Sequence, residues 1–478
     1  MKSLRFLFFS STKFFGILLG FLILLFSSGC QEDLLKSEDA DEPESPVLKK
    51  AKTSTFMVIT KSETLTAEFE IKLSAYGKIV RSIPEIGIVV VKPAVSDFEK
   101  TVAKLSEVQA VVPDLIVKWI EPTDYFTEEN PPSIGDNEWY FGYQWGLDAI
   151  DAPEAWNAGY TGKGARVFIL DSGIDAEHPD LAPNLNTDLC ASFVPGEGYN
   201  VANGFYFNHG THVAGIIAAA DNSFGVIGVA PKAEIIAVKV LSEFTGSGAF
   251  SWINAGIVYA ANNGADVINM SLGATFYRNG FYYDEYDVLQ KTPASYIQYF
   301  ILATQRAVDY AFKKGAIIVT SAGNDSFNMD GNGSLFKLPA GLQKVITVSA
   351  TAPDYLYRDL INHIDPLFDV PSSYTDYGKS FIEVAAPGGD FDFYPGLNYE
   401  WDCVLSTISG GWGWAAGTSM ASPHVAGVAA LVIGRNGGEM DPQEVTKQLF
   451  KTADKIDGNG ISAYFGNGRV NAYRAVTE

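Results

Sequence analysis
The sequence predicts an α/β protein in which a small α+β unit precedes a larger one, and three observations carry that prediction. Arg166-Val-Phe-Ile-Leu-Asp171 is a hydrophobic strand that ends on an acid and turns at Gly173. A carboxylate at the C-terminal end of a parallel strand is where α/β folds expose functional groups. Ile317-Ile-Val-Thr-Ser321 is a second buried strand, closed by the turn Ala322-Gly-Asn324. Two small-residue apolar runs, Ile216–Ala220 behind His209 and Val425–Ile433 behind Ser419, read as buried helices.

With 478 residues, 47% of them hydrophobic, the chain can bury one large core and a small accessory domain. A net charge of −22 argues against a nucleic-acid partner, whose phosphates it would repel, and suits a soluble extracytoplasmic enzyme. Three cysteines, at 30, 190 and 403, exclude a disulfide-built scaffold. Cys190 and Cys403 either pair or remain two thiols.

Residues 1–30 read as an export signal. Lys2, Arg5 and Lys13 precede the apolar run Phe14–Phe26, which is short beside the roughly 20 residues a membrane span needs. The run ends in Ser27-Ser28-Gly29-Cys30, which resembles the lipobox of bacterial lipoproteins; Ser27 stands where Leu is usual. That resemblance implies lipidation at Cys30 and a cell-envelope protein, with the outer-membrane surface as one destination; an ordinary secretory signal or N-terminal anchor are the alternatives. Residues 31–54 are acidic and lack apolar pattern, as a disordered tether does.

From 55 to 121 the pattern changes to strands at Thr55–Thr60 and Ile86–Lys92, a helix over Ser96–Leu105, and a strand pair in Val108–Ile120 broken by Pro113. Residues 122–137 are polar, with Pro131-Pro132, and read as a linker and processing region. The large domain then runs over 138–478.

Its chemistry starts at Ser419, in Gly417-Thr-Ser-Met-Ala-Ser-Pro-His-Val-Ala-Gly427. A hydroxyl at a helix start sits among unpaired N–H groups and the positive end of the helix dipole, able to hold a developing oxyanion. By itself it is equally a plain N-cap. His209-Gly-Thr-His212 opens another helix; its i, i+3 histidines lack the i, i+4 spacing and Glu of a zincin, so no catalytic metal is expected.

Asp171, His209 and Ser419, in that order and each in its own small-residue context, resemble the subtilisin-like serine proteases (subtilases, peptidase S8 family). The resemblance runs from about Asp136 to the C-terminus. It implies a three-layer fold with a mainly parallel central sheet, an Asp-His-Ser triad, and Asn324 as the oxyanion asparagine. It implies that Ser247-Gly248-Ala249 and Ser271-Leu272-Gly273 grip an extended protein or peptide substrate. With Leu338-Pro339 matched to the family's aromatic-Pro, Lys337 comes near the S1 floor, where a cation favours an acidic or polar P1 residue; the alternative is a lysine reaching solvent. A structural Ca²⁺ is implied at Asp180, Asn222 and the carbonyls of Ala220, Phe224 and Val226, with Asn137 or Asp136 as the N-terminal ligand. Residues 55–121 then resemble the subtilase propeptide, a ferredoxin-like chaperone-inhibitor whose tail occupies the cleft before autoprocessing. The Tyr-rich stretch Thr275–Tyr286 either reaches the cleft or packs on the surface, and Asp354–Tyr374 has no functional reading. The competing function is an idle surface lipoprotein that keeps this fold as a binding module.

Overall fold
The computed structural model describes residues 54–120, 126–127, 137–201, 204, 206–354, 356, 367–391 and 399–478. The export signal with Cys30, the tether and nearly all of 122–136 lie outside the described residues.

The small domain is β1 (Phe56–Thr60), α1 (Ala67–Ser74), β2 (Gly77–Ile83), β3 (Ile88–Pro93), α2 (Phe98–Val102) and β4 (Val108–Pro113). Its strands form an antiparallel sheet in the order β2-β3-β1-β4, the βαββαβ arrangement of a ferredoxin-like unit. Period-2 side-chain alternation divides its apolar residues between two faces. Val58, Val89, Val91 and Val111 meet α1 and α2 through Phe69, Leu73, Phe98 and Val102. Met57, Ile59, Ile88, Val90, Ala110 and Val112 join the core of the large domain instead. The helix expected over Ser96–Leu105 is shorter, Phe98–Val102, because Asp97 enters it in a left-handed conformation (φ 54°).

After β4 the chain continues as β5 (Ile116–Lys118). The large domain then supplies β6 (Arg166–Asp171), β7 (Ala191–Ser192), α3 (His209–Ala218), β8 (Glu234–Lys239), β9 (Ser247–Ala249), α4 (Phe250–Asn262) and β10 (Val267–Met270). There follow β11 (Ala274–Tyr277), β12 (Phe281–Tyr283), β13 (Leu289–Lys291), α5 (Ala294–Lys313), β14 (Ile317–Ser321), β15 (Leu335–Leu338) and β16 (Val345–Ala352). The last elements are β17 (Val370–Pro371), β18 (Val384–Pro387), β19 (Val404–Ile408), β20 (Gly411–Ala415), α6 (Thr418–Arg435), α7 (Pro442–Thr452) and α8 (Ala472–Thr477).

The central sheet runs β17-β16-β14-β10-β6-β8-β7, with β18 also on β16, and only β17 is antiparallel to its neighbour. Both faces are covered, as parallel sheets require. Val167, Ile169, Ile235, Ala237, Ile317 and Val319 share a core with α3 and α6. Phe168, Leu170, Ile236, Val238, Ile268 and Ile318 share one with α4 and α5. The small domain's sheet rests on α4 and α5, so this half of the molecule stacks sheet, helices, sheet. Asp114 caps α4 in trans: its carboxylate accepts from Ser251 Oγ (2.6 Å) and Ser251 N (3.2 Å). Glu99 accepts the Tyr296 hydroxyl at the start of α5, and Arg306 donates to the Thr60 and Ile86 carbonyls.

Candidate active site
The central sheet delivers its functional residues at the C-terminal ends of its strands. Asp171 ends β6, buried to 1% exposure, and its Oδ1 and Oδ2 lie 2.9 and 3.0 Å from His209 Nδ1. Asp171 Oδ1 also accepts Ser172 N–H (2.7 Å), which fixes the carboxylate plane. His209 is the first residue of α3, whose N-cap Asn208 accepts Thr211 N–H (2.8 Å). The Ser172 hydroxyl accepts from Gly210 N–H (3.1 Å) and the Asn208 amide (3.2 Å), tying the strand end to the helix start. Beneath them Lys239, fully buried, donates to the Ser172 carbonyl (2.9 Å) and pairs with Glu197 (2.9 Å) and Glu243 (3.3 Å). Ser172, Asn208 and Lys239 were not singled out in the sequence; the Asn-x-x-Thr spacing was the available signal for the cap.

Ser419 is the second residue of α6 and 9% exposed, and its hydroxyl donates to the Ser271 carbonyl (3.3 Å). Hydrogen bonds to a catalytic base are often made only once substrate is bound. Asn324 follows β14, and its Oδ1 accepts both Thr418 N–H (3.0 Å) and Thr418 Oγ1–H (2.7 Å). Thr418 thereby fixes the amide orientation, with Nδ2 on the free side. A Cβ added at Gly417 would lie 3.5 Å from Asn324 Nδ2 and 3.6 Å from Ser419 N, so two donors flank one small space beside Gly417. Two donors so placed could share a developing oxyanion.

A cavity of about 360 Å³ opens at Ser419 and Asn324. Its walls include Gly273, Ala322, Lys337, Leu338 and Trp119. The chain's own β5 runs through this cleft, antiparallel to β9 with Ser247↔Lys118, Gly248↔Val117 and Ala249↔Ile116 in register. Gly273 N–H donates to the Trp119 carbonyl (2.7 Å), and the Trp119 indole donates to the Gly248 carbonyl (2.8 Å). A Cβ on Gly248 would come 2.5 Å from the Val240 carbonyl, so this close approach needs glycine. Ser247-Gly248-Ala249 and Gly273 thus both pair with this segment of the chain's own backbone. Leu272 is instead a core residue, 1% exposed beside Trp119.

The comparisons with known proteins accord with this geometry. A profile of the Subtilase family (Peptidase_S8) matches residues 162–468. The chain is a subtilase. It is 34% identical over 387 residues to a thermophilic serine proteinase of Bacillus sp. (strain AK1), covering 79% of this chain and 78% of that one. It is 37% identical over 343 residues to thermitase of Thermoactinomyces vulgaris, covering 71% and 98%. Its fold is similar to the crystal structure of the epidermin leader peptide processing serine protease from Staphylococcus aureus, with a TM-score of 0.69 at 24% identity over 88% of this chain and 97% of that chain. Family and relatives make it a serine endopeptidase with the three-layer fold expected of the sequence.

The other subtilase expectations are placed as follows. His212 and His424 are core histidines. His212 Nε2 meets the Gly413 carbonyl (3.1 Å) and burial pushes its pKa down to about 3; His424 Nδ1 meets the Met420 carbonyl (2.8 Å) and burial brings it to about 4. Lys337 neither reaches solvent nor stands as a lone cation. It is 4% exposed, and Nζ pairs with Asp325 (2.5 Å) and with fully buried Asp376. Cys190 and Cys403 take separate partners, the carbonyls of Asn186 and Asp390.

In the expected calcium loop, Asp180 is fully buried, and among the described residues no Lys or Arg pairs with it. Burial raises its pKa. Its Oδ1 faces the Asn222 side-chain amide at 3.4 Å, while Oδ2 accepts Val226 N–H (3.0 Å) and the Trp412 indole N–H (2.7 Å). Asn222 thus turns its amide nitrogen, not its oxygen, to Asp180, and among the described residues no three His, Cys, Asp or Glu side chains cluster to hold a metal, so a calcium ion here would need the Asn222 amide turned about. The Asn137 amide donates to Ser223 Oγ (2.5 Å) on the same loop. Glu138, missed in the sequence, holds the loop by accepting Asn222 N–H (3.0 Å) and Ser223 N–H (3.1 Å).

Proposed function
We propose that this serine endopeptidase works through Asp171, His209 and Ser419 as its triad, with Asn324 Nδ2 and Ser419 N–H as the oxyanion donors. The observation that carries this reading is the two-oxygen contact of Asp171 with His209 Nδ1, which leaves Nε2 as the proton acceptor. Ser419 Oγ rotates from Ser271 toward His209 and attacks the scissile carbonyl as His209 takes its proton. His209 then protonates the leaving amine, giving an acyl-enzyme that water hydrolyses by the same proton path. Asp171 keeps the ring in the tautomer with the Nδ1 proton and stabilises its cation. The donors beside Gly417 act on charge that appears only in the transition state.

The chain is made as a precursor whose small domain is a propeptide. Support comes from β5 lying in the cleft in the register of a bound peptide and from the cap that Asp114 places on α4. Processing between about Trp119 and Glu138 separates the catalytic domain from Cys30, so export as an envelope lipoprotein ends in release or in non-covalent retention by the propeptide. Asp180, Asn222 and the carbonyls of Ala220, Phe224 and Val226 would hold a structural Ca²⁺, which would neutralise Asp180 and stiffen the loop. Saturating calcium then raises the melting temperature and a chelator lowers it; a melting point indifferent to both removes the ion from the reading.

A fluorophosphonate tests the whole. It labels Ser419 in the folded mature protein, and label is lost in Ser419→Ala and His209→Ala. A folded wild-type protein that takes no label favours the idle binding module instead.

A further inference from the structure
The Tyr-rich stretch after Gly273 is a three-stranded extension of the cleft wall. Strand β11 continues directly from Ser271-Leu-Gly273, and the sheet β13-β12-β11-β15 is antiparallel throughout. Its tip, 284–288, is a built turn rather than a loose one. Asp284 Oδ1 accepts N–H from Tyr286 and Val288 (3.0 Å each), Oδ2 accepts the Gln290 amide (2.8 Å), and Asp287 sits at φ 60°. Backbone held in that region by the surrounding structure recurs at binding sites.

That tip faces β5. Val117, paired with Gly248 on one side, is bridged to Asp284 on the other, so the segment in the cleft is the middle strand of three. The Ser247 hydroxyl reaches the Glu285 carbonyl (3.5 Å), closing tip against β9. Lys118 Nζ lies 3.5 Å from Asp287 Oδ2, with the lysine side chain 14% exposed and the aspartate 60%. Lys118, Asp287, Tyr277 and Tyr283 line the same cavity as Ser419 and Asn324.

We propose that the 284–288 tip is a second wall of the substrate groove and that Asp287 selects a cationic residue, Lys or Arg, at the peptide position that Lys118 occupies. This rests on the protease reading of the site and names its substrate class: extended peptides carrying a basic residue at that one position. A surface pair of this kind is weak, but a substrate acid at the same position meets repulsion, so the two together set a preference of about tenfold.

Two quenched fluorogenic peptides test it, both with the sequence of residues 114–127, one retaining Lys at the 118 position and one carrying Glu. They are given to the mature wild-type enzyme, to Asp287→Asn, which tolerates the left-handed backbone, and to Asp287→Lys, with cleavage positions read by mass spectrometry. The expected ratio of kcat/KM, Lys peptide over Glu peptide, is about tenfold in wild type, near one in Asp287→Asn, and below one in Asp287→Lys, and the wild-type preference shrinks with added salt. A ratio that is the same in all three proteins overturns the inference while leaving the protease intact. If neither peptide is cleaved although Ser419 takes a fluorophosphonate, the groove assignment falls; if Ser419 takes no label either, the protease reading falls with it.

Discussion
The Ser271 hydroxyl donates to the Ser419 carbonyl at 2.8 Å. In a regular helix that carbonyl would receive the N–H of residue 423, which here is Pro423 and has none. The Ser271 side chain therefore completes the first turn of the helix that carries Ser419. Ser271→Ala leaves a buried carbonyl without its donor, at a cost of about 1–3 kcal/mol. Thermal unfolding and peptide hydrolysis should both register the change, as a lower melting temperature and a lower kcat. An unaltered melting temperature in Ser271→Ala would remove this role from Ser271.

In the proposed mechanism Asn324 acts by donation, and its two side-chain atoms allow a sharp test. Its Oδ1 is engaged by Thr418 twice, so Asn324→Asp keeps those contacts but has no N–H to offer. Both Asn324→Asp and Asn324→Ala should lower kcat by about 10²–10³-fold with little change in KM, the range seen on removing one such donor, for which subtilisin itself is an example. An Asp variant that recovers most of the activity would mean that Asn324 serves only to hold Thr418.

The proposed triad is legible because each residue sits in a short contiguous context: a hydrophobic strand ending at Asp171, a small-residue helix opening at His209, a Gly-Thr turn before Ser419. The central sheet was legible for the same reason, since strands buried on both faces such as Ile317–Ser321 read as unbroken apolar runs. In the small domain β1 and β3 were found by that rule, whereas α1 and β2 were not. Ile71 on α1 is 73% exposed and Val80 on β2 is 54% exposed, so apolar residues stand on their solvent faces and blur the period. What escaped entirely was long-range pairing. Asp376 compensates Lys337 and Glu138 holds the calcium-loop backbone, and no local spacing announces either contact.

Docking of the small domain should weaken as pH rises. Asp114 is buried at the interface, and desolvation pushes its pKa up to about 6, against the favourable contacts with Ser251 and the charge of Arg81. A carboxyl whose pKa is raised on docking binds its proton more tightly in the docked state. Its contribution is therefore complete below the ordinary carboxylate range and is lost as pH climbs through about 6, by at most about 3 kcal/mol. In full-length Ser419→Ala, amide-exchange protection of β4 and β5 should fall between pH 5 and 7.5, after correction for intrinsic exchange rates. Asp114→Asn should flatten that dependence. Protection that rises with pH in the parent protein would contradict the assignment.

Lys337 is best tested through its partners. Lys337 is one cation set between two carboxylates, so an acidic P1 residue is expected to gain nothing from it. Peptides with P1 Glu should be cleaved no faster than those with P1 Gln. Replacing Lys337 by Met strands Asp376 as a buried, uncompensated charge, and breaking such a pair from one side typically costs about 3–5 kcal/mol. Adding Asp376→Asn removes that charge and should return most of the lost melting temperature, because the penalty belongs to the unpaired carboxylate and not to the missing lysine. If Lys337→Met alone is as stable as wild type and now prefers P1 Gln to P1 Glu more strongly than before, then the lysine was acting toward substrate and not as the partner of Asp376.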